Sequence, residues 1–297
     1  MALPLLTGRR NGGPGDVPPA SAVSDRGASP AIAGAPAARP APVPGPEAQP
    51  ADVPDAAAAF ALATTLADKH DLVGAERAYR RADALGHPEA AFHLGGMHAE
   101  SGDFQSAEGC YRRADELGHA DGAFNLGVLL EHRNDRPGAE AAYRHADQRG
   151  SALAALNLGV LLEQRGEHAE AEAAYRRADE WGDAGAAATV GRLLAERGDL
   201  AGAEDAFRRA DERGDAAAAF NLGGLLADRG DLDRSEAAFR RAAERGHAGG
   251  AFNLGVLLEE RGELAGAEAA YRCAEQDGHG EVAEMARAAL LELRDRR

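Results

Sequence analysis

The chain has 297 residues, a formal charge of −16, 5% aromatic residues and two cysteines. So acidic a balance excludes phosphate-backbone recognition and docking on an anionic membrane, both of which need a basic face. Cys110 and Cys273 make neither a disulfide framework nor a zinc cluster, and no apolar run approaches the ~18 residues of a spanning helix.

Residues 1–54 are dense in Pro, Ala and Gly, as in "ASPAIAGAPAARPAPVPGPEAQPADVP". Such composition offers almost nothing to bury against the entropy of ordering, so the segment is predicted to be a disordered tail. The start, "MALPLLTGRRNGG", has its arginines on the wrong side of a short apolar run for a secretory signal. The expected location is cytoplasmic.

From residue 55 the sequence repeats every 32 residues. Phe60, Phe92, Phe124, Phe220 and Phe252 keep that step. So do Gly95, Gly127, Gly159, Gly191, Gly223 and Gly255, and the aromatic series Tyr79, Tyr111, Tyr143, Tyr175, Phe207, Phe239 and Tyr271. Seven units fit within 55–279: 56–87, 88–119, 120–151, 152–183, 184–215, 216–247 and 248–279. Residues 280–297 read as a capping helix with the stripe Val282, Met285, Ala289 and Leu293.

Each unit reads as two helices. Leu126, Leu129 and Leu130 make one helical stripe, and Ala139, Tyr143 and Ala146 a second. The breaks between them, "RND", "RGD" or "RGE", pair a left-handed residue with an N-cap acid. The "ERGD" copies at 196–199 and 212–215 are therefore hinges rather than adhesion motifs. Gly127 is expected to let the first helix approach Ala139. Glu76, Glu108, Glu140, Glu172, Glu204, Glu236 and Glu268 each precede an Arg by four residues, which predicts solubilising pairs on the outer face.

The pattern Leu126-Gly127, Leu130, Ala139, Tyr143 and Ala146 resembles the tetratricopeptide repeats, over about four-fifths of the chain. The junction "RRADERGDAAAAFNLG" is two residues shorter than in that family and resembles the Sel-one-like repeats. The resemblance implies an all-α fold: a right-handed α-solenoid of about seven antiparallel helix pairs with a C-terminal capping helix.

No nucleophile triad, phosphate loop or nucleotide fingerprint is present, so no enzyme activity and no cofactor are expected. His87, His119, His247 and His279 occupy a helix-start slot that holds Ser or Asp elsewhere, which argues against metal binding. The resemblance does imply a concave groove lined by first helices, where an Asn often bonds a bound peptide's backbone. Asn125, Asn157, Asn221 and Asn253 stand in that slot, one rung per unit with Thr189 as a gap. Phe124, Phe220 and Phe252 would add apolar contact, and Glu131, Glu163 and Glu259 an acidic rim. The expected role is a non-catalytic scaffold for a basic or amphipathic protein or peptide, with no nucleic acid and no membrane partner. The alternative is a regulatory subunit acting on an enzyme or transcription factor through its convex face and tail.

Overall fold

The computed structural model describes residues 55–296; the tail reading for 1–54 lies outside them. Among the described residues there are fifteen helices and no strands. They fall into two compact units, and the chain passes from one to the other between Ala174 and Tyr175. The first holds α1 (Ala56–Asp68), α2 (Leu72–Ala84), α3 (Pro88–Glu100), α4 (Phe104–Glu116), α5 (Ala120–His132), α6 (Arg136–Gln148), α7 (Ala152–Gln164) and the start of α8 (His168–Glu180). The second holds the rest of α8, then α9 (Ala184–Glu196), α10 (Leu200–Glu212), α11 (Ala216–Asp228), α12 (Leu232–Glu244), α13 (Ala248–Glu260), α14 (Leu264–Asp277) and α15 (Glu281–Asp295). Consecutive helices pack on one another from α1 to α7 in the first unit and from α9 to α15 in the second. This is an all-α helical-repeat solenoid.

The helix ends follow from their residues. Asp71, Asp103, Asp135, Asp199 and Asp231 each accept the backbone N–H three positions on, opening the second helix of a pair. His119 and His247 cap the first helices α5 and α13 through Nδ1, which accepts from Gly122 and Gly250 at 3.0 Å. At the far end of α10, Gly214 has φ of +97°, and the Asp215 N–H returns to the Ala210 carbonyl at 3.0 Å. That left-handed residue closes the helix and turns the chain into α11.

Alanines and glycines set how near the helices come. A Cβ at Gly127 would sit 2.5 Å from the Tyr143 ring, so the glycine's neighbour is that ring rather than the expected Ala139. Gly191 meets Phe207 and Gly255 meets Tyr271 in the same way.

Part of the glutamate row does not lie on an outer face. Glu108, Glu140 and Glu236 are buried, each ion-paired with the Arg four residues on and with a second Arg from the following loop: Arg133, Arg165 and Arg261. These are the arginines of the "RND", "RGE" and "RGE" turns. The turn that breaks one pair of helices thus clamps the pair before it.

A second row joins neighbouring second helices. Asp115 is held by His145 and Arg149 at 2.9 and 2.5 Å, Asp179 by Arg209 and Arg213 at 2.6 Å each, and Asp211 by Arg241 and Arg245 at 2.5 and 2.6 Å. Burial alone would push the Asp179 and Asp211 carboxyls up. Two guanidiniums apiece outweigh it and hold both below the usual carboxylate range.

Candidate functional site

The expected groove residues lie on the first helices of the pairs. In the first unit Phe124 and Asn125 on α5, and Asn157 on α7, are half-buried. The Asn125 amide lies beside the Tyr111 hydroxyl and the Asn157 amide beside that of Tyr143, each opposing the rise in the phenol's pKa. Tyr143 donates to Glu131 at 2.9 Å. A phenol-to-carboxylate bond therefore ties α6 to α5, with the Asn157 amide of α7 beside it. Burial first, then the Glu131 charge, raises the Tyr143 phenol far above its ordinary pKa, so it stays protonated and able to donate. Glu163 also has an intramolecular partner. Both asparagines of the first unit thus stand next to a tyrosine of the preceding second helix.

In the second unit the column changes. Fourteen residues before Asn221 stands Phe207, which has no hydroxyl to receive the amide. Asn221 is half-buried, and its side chain makes no hydrogen bond among the described residues. Gly224 and Leu225 share its stripe of α11 at i+3 and i+4, both half-buried, and a Cβ at Gly224 would meet nothing within 4 Å. Asp228 ends the stripe, exposed. Phe220 stacks on His247 at 4.6 Å and tilts on Phe239 at 6.0 Å. On α9 the same register carries Thr189 and Leu193, both half-buried, with Thr189 turned back to the Gly185 carbonyl at 2.9 Å.

The last rungs do not face solvent. Phe252 and Asn253 are fully buried, and Val256 and Leu257 nearly so, because Ala286, Ala289 and Leu293 of α15 pack over that face of α13. Asn253 has a partner inside the protein. Glu259 is no open rim either: it accepts from Tyr271 at 2.9 Å and from Arg296 at 2.7 Å. A ligand reaching α13 would first have to displace α15.

Two arrangements escaped the sequence reading. The Tyr-to-Asn step of fourteen residues, present at 111–125 and 143–157 but broken at 207–221, was the available signal for which amides stand beside a phenol. Three histidines of the helix-start slot stack on the phenylalanine of the preceding first helix: His87 on Phe60 at 4.3 Å, His119 on Phe92 at 4.7 Å and His247 on Phe220 at 4.6 Å. Among the described residues no group of His, Cys, Asp or Glu is placed to hold a metal ion, and no helix is long and apolar enough to cross a membrane.

A family model for the tetratricopeptide repeat matches residues 98–152, 145–189, 189–250 and 220–280, together more than half of the chain. No curated protein matches the sequence. Among solved structures, c5321, a protective antigen of uropathogenic Escherichia coli with an SLR fold, superposes with a TM-score of 0.59 at 20% identity. That match covers 82% of this chain, and this chain spans only 62% of the antigen. A Sel1 repeat protein from Oxalobacter formigenes gives 0.57 at 23% identity, over 64% of this chain and 87% of that one. At such identities the likeness is one of fold.

Proposed function

Because the chain belongs to the tetratricopeptide-repeat family, we propose that it is a non-catalytic scaffold that binds an extended segment of a partner protein along first-helix faces. Proteins built from this repeat generally act in protein–protein interaction, and the reading here is specific to α11. The observation that supports it is the open stripe of Asn221, Gly224 and Leu225. An amide with no internal partner can donate to and accept from any extended backbone, the bare Gly224 lets that backbone come close, and Leu225 offers apolar contact. Asp228 at the end of the stripe favours a basic residue in the ligand. In the first unit Phe124, Val128 and Leu129 add half-buried apolar surface on α5, while Asn125 and Asn157 each lie beside a tyrosine hydroxyl.

The test begins with capture of partners by the full chain from its native organism, followed by calorimetric titration. Asn221→Ala should weaken the identified partner by a factor of about five to ten, the loss of about 1 kcal/mol expected for one desolvated hydrogen bond, without lowering the melting temperature. Unchanged affinity for Asn221→Ala and for Leu225→Asp would place the binding face elsewhere.

A further inference from the structure

α14 and α15 bound an open cleft of about 530 Å³. Arg272, ion-paired with Glu268, and Glu275 face it from α14, and Arg287, Leu290, Leu291 and Arg294 from α15. In the second unit α9, α11 and α13 each carry the following helix packed against them; among the described residues nothing packs on α15 in that way.

Arg287 decides what could. It stands 32 residues after Gly255, in the column where each repeat's glycine meets the ring of its own second helix. Even a Cβ in that column would lie 2.5 Å from the Tyr271 ring and 2.7 Å from that of Phe207. In α15 a guanidinium side chain stands where that column has glycine. Arg287 turns instead to Glu275 at 2.9 Å. Glu275 continues the column of Asp179 and Asp211, so the acid that a further repeat's arginines would answer is already answered by α15. What remains unmet is positive and apolar. Arg294, two helical turns beyond Arg287, makes no ion pair among the described residues, and Leu291 between them is 62% exposed.

We propose that the α14–α15 cleft docks a helical segment of a partner protein that is apolar along one stripe and acidic beside it, with leucine-type residues on Leu290 and Leu291 and a carboxylate on Arg294. Desolvated packing on the leucines supplies affinity, and the arginine supplies the sign of the partner's charge. This surface is separate from the α11 stripe and does not rest on it.

The test titrates the full chain with two synthetic amphipathic helical peptides that share one leucine stripe, flanked by glutamates in one and by lysines in the other. The glutamate peptide should bind at least about tenfold more tightly than its lysine twin. Leu291→Asp and Arg294→Glu should each weaken it about tenfold or more, and R294E should narrow the gap between the two peptides. Both side chains are exposed, so the variants should keep the parent's helical signal and melting curve. Asn221→Ala should leave this binding unchanged, which separates failure here from failure of the groove. Equal binding of the two peptides, no binding of either, or indifference to both substitutions would overturn the proposal. So would a concentration-dependent dimer that L291D dissolves, since the occupant would then be a second copy of the chain.

Discussion

Arg213 reaches back 34 residues to Asp179, donating to its carboxylate at 2.6 Å and to the Asp183 carbonyl at 3.2 Å. This is the arginine of "ERGD" at 212–215, so the recurring tripeptide is an inter-repeat clamp as well as a hinge. The same relationship joins Asp211 to Arg245 at 2.6 Å, with the Asp211 side chain 3% exposed. Replacing Arg241 and Arg245 together by Met should leave a buried carboxylate unpaired and cost about 2–4 kcal/mol, somewhat under the range for fully buried pairs because both arginines are partly solvated. Adding Asp211→Ala to that double variant should restore much of the loss. Chemical denaturation of the three variants checks it; an added loss on removing the aspartate would mean the carboxylate was never the cost.

Two glycines inside helices should respond in opposite directions. Gly127→Val drives a side chain into the Tyr143 ring, and moving the ring breaks its bond to Glu131; the expected loss is about 1–3 kcal/mol. Gly109 is exposed in α4, and a Cβ there meets nothing within 4 Å. Gly109→Ala should therefore stabilise by up to about 1 kcal/mol through helix propensity alone. Melting curves of the pair decide it, and equal shifts in one direction would refute the packing account.

The asparagine column should divide. Asn157→Ala removes the amide beside the buried Tyr143 phenol and should cost about 0.5–1.5 kcal/mol. Asn221→Ala removes an amide without an internal partner and should leave stability within experimental error. Thermal melts that rank the two the other way would show that Asn221 has a structural partner in solution.

Acid should weaken the fold through three histidines before it reaches the carboxylates. Burial lowers the pKa of His93, His119 and His247 below the ordinary 6.5. At His119 the carboxylates of Asp121 and Glu89 pull the other way, and Arg149 and His87 add to the lowering. A folded pKa below the unfolded one gives stability that is complete above pH 6.5 and is lost as pH falls through the folded value. Melting temperature should thus drop between pH 7.5 and pH 5.5 by the linkage of these rings. His119→Ser keeps a helix-start acceptor of the kind that Ser151 provides, and should flatten that dependence. A profile unchanged by H119S would remove His119 from the account.

Much of this fold was legible because a 32-residue step repeats both its apolar residues and its breakers. Helix starts at Ala56, Pro88, Ala120, Ala152, Ala184, Ala216 and Ala248 follow that step directly. What the step conceals is direction. Glu140 and Arg144 sit four apart on one helix, which reads as an exposed pair, and nothing local reveals that Arg165 also closes on Glu140. The groove column suffered likewise. Asn125 and Asn221 are equivalent in register, yet the preceding helix sets a tyrosine hydroxyl beside one amide and only a phenylalanine ring near the other. Asn253 was hidden by α15, whose amphipathic stripe announces a packed helix but not how much of α13 it covers.

The aspartate clamps run one way along the chain. Asp115 waits for Arg149, Asp179 for Arg209 and Arg213, and Asp211 for Arg241 and Arg245; in each case the acid is made first and its partner follows. During synthesis a newly emerged pair of helices carries a carboxylate that cannot be buried well until the next pair arrives, whereas the later arginines lose little by meeting water. Losing a later pair should therefore loosen the one before it more than losing an earlier pair loosens the one after, a polarity that truncations from the two sides of either unit would reveal by melting. The ion pairs give the array a grammatical order, in which each clause is completed by the one that comes next.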